Sequence, residues 1–269
     1  MKLGVTLESF GLPFRRGLAE ARRLGLAGVQ VDAAGELSPD RLSDTGKREL
    51  RHLLDSHGLN LTALGCPLRH GLDESENLQP RIDRVRRVMT LSFELGTRVT
   101  IVQAGRIPST LPSSTASGDA GTGDPRTSLM RESMLALGQH GDRVGATLAL
   151  ETGLESGETL KSFLDALDTG GLGVNYDPAN LLVNGFDPVE NLAPLKGRIA
   201  HTHAKDARRA KASRLAAEVP IGHGDIDWMQ YFAALAALDY RGWVVIERET
   251  GTDRIADVAA GVAFLRRLL

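Results

Sequence analysis

The sequence predicts an α/β fold: a single (β/α)8 TIM barrel spanning residues 1–269, with parallel strands inside and helices outside. Three observations carry this expectation. Short β-rich runs alternate with longer segments whose apolar residues recur at i, i+3 and i+4, the pattern of parallel strands joined by crossover helices. Eight such runs can be counted, the number that closes a barrel. The length, 269 residues, is ordinary for one barrel of this kind. The competing arrangement is an open doubly wound sheet. It lacks its usual support, because no GxGxxG motif follows the first run.

In chain order the β-rich runs are KLGVTLE (2–8), GVQVD (28–32), LNLTALG (59–65), RVTIVQAG (98–105), ATLALETG (146–153), LGVNYD (172–177), RIAHTHAKD (198–206) and GWVVIERE (242–249). Between them lie helical patterns such as GLAEARRLGL (17–26), TGKRELRHLLDSHG (45–58) and LQPRIDRVRRVMTLSFELG (78–96). Several stop at a glycine just ahead of the next run: Gly25, Gly58, Gly96 and Gly145. Glycine suits a helix C-terminus because it accepts a left-handed backbone. One segment breaks the rhythm. Residues 105–128 are rich in Gly, Pro, Ser and Thr and follow the fourth run, so they are expected to project from the C-terminal face as a lid or as a disordered loop.

Composition narrows the function. Apolar residues make up 42% and charged residues 25%, as in soluble globular proteins, and the net charge is −2. No clustered basic face argues for nucleic acid. Pairs such as Arg86-Arg87 and Arg266-Arg267 fall in helical patterns and are read as solvated faces. The single cysteine, Cys66, excludes an intramolecular disulfide and a cysteine-based zinc site. The N-terminus carries no apolar signal-peptide core, and no apolar run reaches the roughly 18 residues of a membrane span. A soluble, cytoplasmic protein that binds neither nucleic acid nor membrane is the expectation.

Barrel chemistry sits at the C-terminal ends of the strands. There the fifth run places Glu151, the sixth Asp177, the seventh His203 with His201 one pleat deeper, and the eighth Glu247 with Glu249 one pleat beyond. Side chains two apart on a strand share a face, so both histidines of HTH point the same way. Each residue alone has a plain structural explanation, such as a helix cap or a buried core histidine. Metal-capable side chains on four adjacent strands do not. Three carboxylates converging in a dry barrel mouth repel one another unless a cation neutralises them, and a divalent ion leaves a formal charge of about −1. One nitrogen with three carboxylates suits one Mn²⁺ or Mg²⁺, with Zn²⁺, Co²⁺ and Fe²⁺ open.

LALETG, VNYDPAN, AHTHAKD, VPIGHGDIDW and VVIERE, in this order, resemble the xylose isomerase-like barrel superfamily, within its sugar phosphate isomerase/epimerase group, which includes the ketose 3-epimerases. The specific motifs lie in the second half; in the first half GVQVD and LTALG are weak echoes. The resemblance implies metal ligation by Glu151, Asp177, His203 and Glu247, with Glu151 and Glu247 also acting as the catalytic acid and base. It makes the second histidine of HTH the ligand and leaves His201 to the barrel core. It also implies substrate contacts at Arg209, six residues after the ligand histidine, and at Asn180, where the epimerases carry histidine. Lys205 shares the face of His203 at the mouth and is a further candidate. So is His223, between Gly222 and Gly224, in a loop where Asp227 can cap the next helix. Arg69, His70 and Glu8 are weaker candidates, and Trp228 and Trp243 are read as packing residues.

The implied activity is isomerisation or epimerisation of a ketose or sugar phosphate, by proton transfer through an enediolate with metal assistance. A runner-up is a dehydratase of the inosose or dehydroshikimate type, in which a hydroxyl β to the carbanion leaves. Two readings come from other classes. One is an apurinic-site endonuclease, which uses three zinc ions and is disfavoured by seven histidines and an acidic net charge. The other is an inactive sugar-binding barrel, disfavoured because all four ligand positions are filled. The expected partner is a small sugar or polyol, and relatives of this kind suggest a homodimer or homotetramer.

Overall fold

The computed structural model describes residues 1–108, 124–209 and 216–269. Strands β1 (Lys2–Thr6), β2 (Gly28–Asp32), β3 (Asn60–Gly65), β4 (Val99–Val102), β5 (Thr147–Glu151), β6 (Leu172–Tyr176) and β7 (Ile199–Ala204) follow in chain order. Next come β8 (Asp206–Arg209), β9 (Ala216–Val219) and β10 (Trp243–Ile246). Eight of the ten form a closed barrel in the order β1-β10-β7-β6-β5-β4-β3-β2. Every neighbouring pair is parallel, and β1 closes on β10 with Leu3 opposite Val244. The eight strand segments read from the sequence are the eight barrel strands.

Strands β8 and β9 were not anticipated. They form a separate antiparallel pair, with Asp206 opposite Val219 and Arg209 opposite Ala216. The stretch ends in charged residues with no apolar run, so periodicity carried no signal for it. The expected run 198–206 therefore divides into β7, in the barrel, and the first residue of the hairpin. Other strands are shorter than their apolar runs. The run 2–8 turns into a short 3₁₀ helix at Leu7, and the run 98–105 leaves the ladder after Val102.

The outer layer is α1 (Phe14–Arg23), α2 (Asp44–Ser56), α3 (Leu78–Leu95), α4 (Pro125–Val144), α5 (Gly157–Asp165), α6 (Pro178–Val183), α7 (Trp228–Ala237) and α8 (Arg254–Leu265). Helix α1 begins three residues ahead of the run 17–26, directly after Pro13. The four helix-ending glycines adopt left-handed backbone, as at Gly96 (φ 86°) and Gly145 (φ 77°). The segment 105–128 falls largely outside the described residues. Its last four residues, 125–128, are the first turn of α4, with Pro125 in the first-turn position that proline favours and Asp124 capping through the N–H of Arg126. Among the described residues no helix is long and apolar enough to cross a membrane.

The main core lies between strands and helices, with Leu18, Leu64, Met89, Met130, Leu148 and Phe163 fully or almost fully buried. The barrel interior differs. Its apolar cluster is small (Ala63, Ile101 and Ala149), and beside it Gln30, Thr62, Asn175 and His201 are buried and bonded to one another or to His203. Small and polar residues in the centre leave room for a polar layer beneath the mouth.

Candidate metal centre

Four side chains meet at the C-terminal mouth. Glu151 is the last residue of β5, Asp177 follows β6, His203 lies in β7 and Glu247 follows β10. Each offers a ligand atom, and the four atoms all lie within 4.8 Å of one another. His203 Nδ1 is 3.2 Å from Glu247 Oε2 and 3.6 Å from both Glu151 Oε1 and Asp177 Oδ2. The four are not ladder partners. Glu151 pairs with Asn175, Asn175 with His201, and His203 with Val245. Strand tilt brings residues of different register to one height.

Local structure fixes each donor. Asp177 caps α6: its Oδ1 accepts from the N–H of Asn180 at 2.9 Å, and its own N–H donates to Thr152 Oγ1 at 2.8 Å. Asp177 Oδ2 is buried, faces His203 and has no hydrogen-bond partner. An unpartnered buried carboxylate oxygen is costly, and a cation among the four donors resolves it. His203 is held from behind, its Nε2 lying 2.9 Å from Gln30 Oε1. Nε2–H then donates to that amide, which leaves the Nδ1 lone pair facing the carboxylates, the tautomer a ligating histidine needs. The four residues fit one divalent ion.

The electrostatics point the same way. Burial raises the Glu151 carboxyl above its ordinary range, and the charges of Glu247 and Asp177 add to this against the opposing pull of His203. Burial alone would push His203 down, but the surrounding carboxylates, led by Glu247, drive it well above the usual histidine range. The cluster thus draws a proton to itself, and a divalent ion in the same place supplies two charges instead of one. Burial also acts to raise Glu247, yet its carboxyl is held low by His203 and by Lys205.

Lys205 is buried and joins the cluster, with Nζ 2.8 Å from Glu249 Oε2, 3.2 Å from Glu247 Oε2 and 4.0 Å from Asp177 Oδ2. Asn180 joins through its Nδ2, which donates to Glu151 Oε1 at 3.0 Å. Arg209 and His223 stand elsewhere. Both are exposed at the β8–β9 hairpin and its following loop, and neither lines the cavities at the cluster. Arg209 donates its backbone N–H to Asp225, and the His223 carbonyl accepts from Arg208. Asp206 organises this loop from below by accepting from the N–H groups of Gly222 and Gly224 and from Trp228 Nε1. Trp228 is buried against Tyr231 and Phe232, and Lys2 lies over the Trp243 ring, so both tryptophans pack as expected. Asp227 caps α7 as its position suggested.

His201 is fully buried one pleat below. Its Nδ1 meets Asn175 Oδ1 at 2.8 Å, and its Nε2 meets Thr62 Oγ1 at 3.2 Å. Burial and the neighbouring His203 push it well below the usual histidine range, as suits a neutral core residue. Gln30, Thr62 and Asn175 were passed over in the sequence. Their signal was there: each is a polar residue in the interior of a strand, flanked on both sides by apolar or aromatic neighbours. Replacing Gln30 with Leu is expected to weaken divalent-ion binding by roughly 10- to 100-fold while leaving the fold intact, as for other partners of ligating histidines. Titration calorimetry with Mn²⁺ checks this.

Two cavities open beside the cluster. One, of about 230 Å³, is lined by Gln30, Asp32, Gln103, Glu151, His203 and Glu247, among others. The other, of about 380 Å³, shares Leu68, Gln103 and Glu151 with it and reaches Arg69, His70 and Asn180. Arg69 and His70 thus stand on a cavity wall, at its exposed rim. Glu8 borders a third cavity, of about 240 Å³, which shares Gln30, Asp32, Glu247 and Glu249 with the first and is also lined by Arg248 and Arg254.

The profile of the xylose isomerase-like TIM barrel family matches residues 18–268, and the chain belongs to that family. It is 32% identical over 112 residues to the inosose dehydratase of Geobacillus kaustophilus (strain HTA426), a match covering 36% of each chain. The chain thus spans about a third of the length of the curated relatives it matches. Among solved structures, a xylose isomerase domain protein from Planctomyces limnophilus superposes with a TM-score of 0.81 at 25% identity, covering 93% of this chain and 91% of that one. A D-psicose 3-epimerase superposes with a TM-score of 0.77 at 15% identity, covering 100% and 99%, which shows a shared fold.

Proposed function

We propose that this protein is a divalent-metal-dependent isomerase or epimerase of ketose sugars, with Glu151, Asp177, His203 and Glu247 as metal ligands and Mn²⁺ or Mg²⁺ as the ion. The observation that carries the reading is the set of four donors within 4.8 Å of one another, with Asp177 Oδ2 among them lacking a hydrogen-bond partner. When bound, a divalent ion acts as a Lewis acid toward the substrate carbonyl and lowers the cost of removing the neighbouring C–H proton.

The chain supplies the proton transfers. Glu151 and Glu247 end the strands at the two extremes of the arc β5-β6-β7-β10, so they flank whatever is held between them. One carboxylate takes the proton from the carbon next to the carbonyl, leaving an enediolate. The other returns a proton to the opposite face of that carbon, and the configuration inverts. Asn180 holds Glu151 through Oε1, and Lys205 holds Glu247 through Oε2, so each acid–base group has its own orienting partner. Asn180, which lines the larger cavity, and Lys205 are read as substrate contacts.

The inosose dehydratase relatives favour a second outcome on the same site. If a hydroxyl lies β to the carbon that loses its proton, the enediolate expels it, and a dehydrated ketone and water result. The described residues bring together one metal-capable group, which supports a single-ion enzyme over a three-zinc endonuclease.

One experiment tests the class and separates the two outcomes. The Mn²⁺-loaded protein is incubated in D₂O with ketohexoses and with an inosose, and the products are weighed by mass spectrometry. A gain of one deuterium with formation of an epimer supports the epimerase, and loss of water supports the dehydratase. Neither change with any of these substrates refutes both.

A further inference from the structure

Asp32 ends β2, on the barrel wall away from the four-donor arc, and the proposed chemistry does not use it. Its backbone N–H donates to Glu8 Oε1 at 3.0 Å, which anchors the strand end. Its side chain lies over Gly65, where a Cβ would come within 2.1 Å of Asp32 Oδ1. A glycine at the end of β3 therefore keeps the place in which this carboxylate rests. Asp32 forms no ion pair and accepts no hydrogen bond among the described residues. Burial, with Glu8 and Glu247 nearby, pushes it up to about 7.

A half-buried carboxylate that no described protein group bonds keeps its oxygens free to accept from a molecule in the cavity it faces. Asp32 lines the space of about 230 Å³ that runs from Glu151 and His203 on one wall to β2 on the other. Among the described residues lining that space there are four carboxylates (Asp32, Glu151, Glu247 and Glu249) and no Lys or Arg. A molecule gripped at the cluster by one end presents its far end to Asp32. A hydroxyl there can donate to the carboxylate, whereas a phosphate or carboxylate group meets like charge; the neighbouring cations are already engaged, Lys205 with Glu247 and Glu249 and Arg84 with the Ala33 carbonyl.

We infer that Asp32 is a specificity-determining residue that accepts hydrogen bonds from the far hydroxyls of an uncharged polyhydroxy substrate and excludes its anionic counterparts. This inference rests on the reading of the pocket as a ketose or inosose site and narrows it to unphosphorylated, carboxylate-free molecules.

The test is binding, which needs no turnover. D-fructose and myo-inositol, each alongside its monophosphate, are titrated calorimetrically into the Mn²⁺-loaded wild type and the Asp32→Asn variant. The wild type is expected to favour each neutral compound over its phosphate by about tenfold or more, as charged hydrogen bonds and like-charge exclusion allow. Asp32→Asn is expected to reduce that preference by about tenfold, with unchanged Mn²⁺ stoichiometry and no fall in Tm. Four results overturn the inference: equal or tighter binding of the phosphates by the wild type, no binding of any of the four compounds, an unchanged preference in the variant, or loss of Mn²⁺ or of Tm in the variant. If the preference holds while no substrate takes up deuterium or loses water, the proposed reaction fails and the role of Asp32 stands. Turnover of a sugar phosphate in preference to its neutral parent has the opposite meaning.

Discussion

Glu151→Gln and Glu247→Gln are each expected to remove turnover at saturating Mn²⁺, by roughly a hundred- to ten-thousand-fold in kcat, with little change in Tm. The effect is large because the amide keeps the shape of the carboxylate and loses the ability to take a proton. Little stability is at stake. A glutamine at 151 still offers an oxygen to Asn180 Nδ2, and Lys205 keeps Glu249 when position 247 is neutral. The two variants are also expected to differ in isotope exchange. If one carboxylate serves each face of the substrate, a variant retaining the base for one face still washes deuterium into that substrate without forming the epimer. Measuring exchange and epimer formation in both directions assigns the faces. Full activity in either variant sinks the assignment.

The second large effect is on metal binding and concerns Asp177, which has two separable duties. Its Oδ1 caps α6, and its Oδ2 faces His203 without a partner. Asp177→Ala removes both, so the metal-free protein is expected to lose about 1 kcal/mol from the missing cap. Asp177→Asn keeps an oxygen for the Asn180 N–H and should spare most of that loss. Neither variant should gain stability when Mn²⁺ is added. The wild type should gain about 2.7 kcal/mol at a hundredfold excess over Kd, seen as a rise in Tm that grows with Mn²⁺ concentration. His203→Ala is expected to abolish the same rise. A Tm that rises equally with Mn²⁺ in all of these variants would place the ion elsewhere.

Much of this architecture was legible beforehand. The apolar runs of β5, β6 and β10 are unambiguous because parallel strands are buried on both faces, and each ends in an acid where the chain meets the mouth. Helix ends were legible at Gly96 and Gly145 because few other residues accept that backbone. The hairpin β8–β9 was not, since a short, partly exposed charged pair has no periodicity strong enough to mark it. It carries Arg209, and the loop after it carries His223; both are exposed and line neither of the two cavities at the cluster. Sequence distance along an edge that turns outward says little about distance to the barrel axis.

By itself the sequence determined the eight-strand alternation, the acid or histidine at the end of each of four consecutive barrel strands, and the absence of a cysteine-based metal site. These are properties of local pattern and of residue type, and they hold whatever the strands later pair with. Only the tertiary structure decided that Glu151, Asp177, His203 and Glu247 converge within 4.8 Å despite unequal ladder register, because the tilt of strands in a closed barrel sets height. The fold likewise decided that Gln30, from a strand more than 170 residues away in sequence, orients the ring of His203. It also set Asp32 to face them across the cavity. Such relations depend on which strands become neighbours around a ring, and a linear pattern of side chains does not contain them.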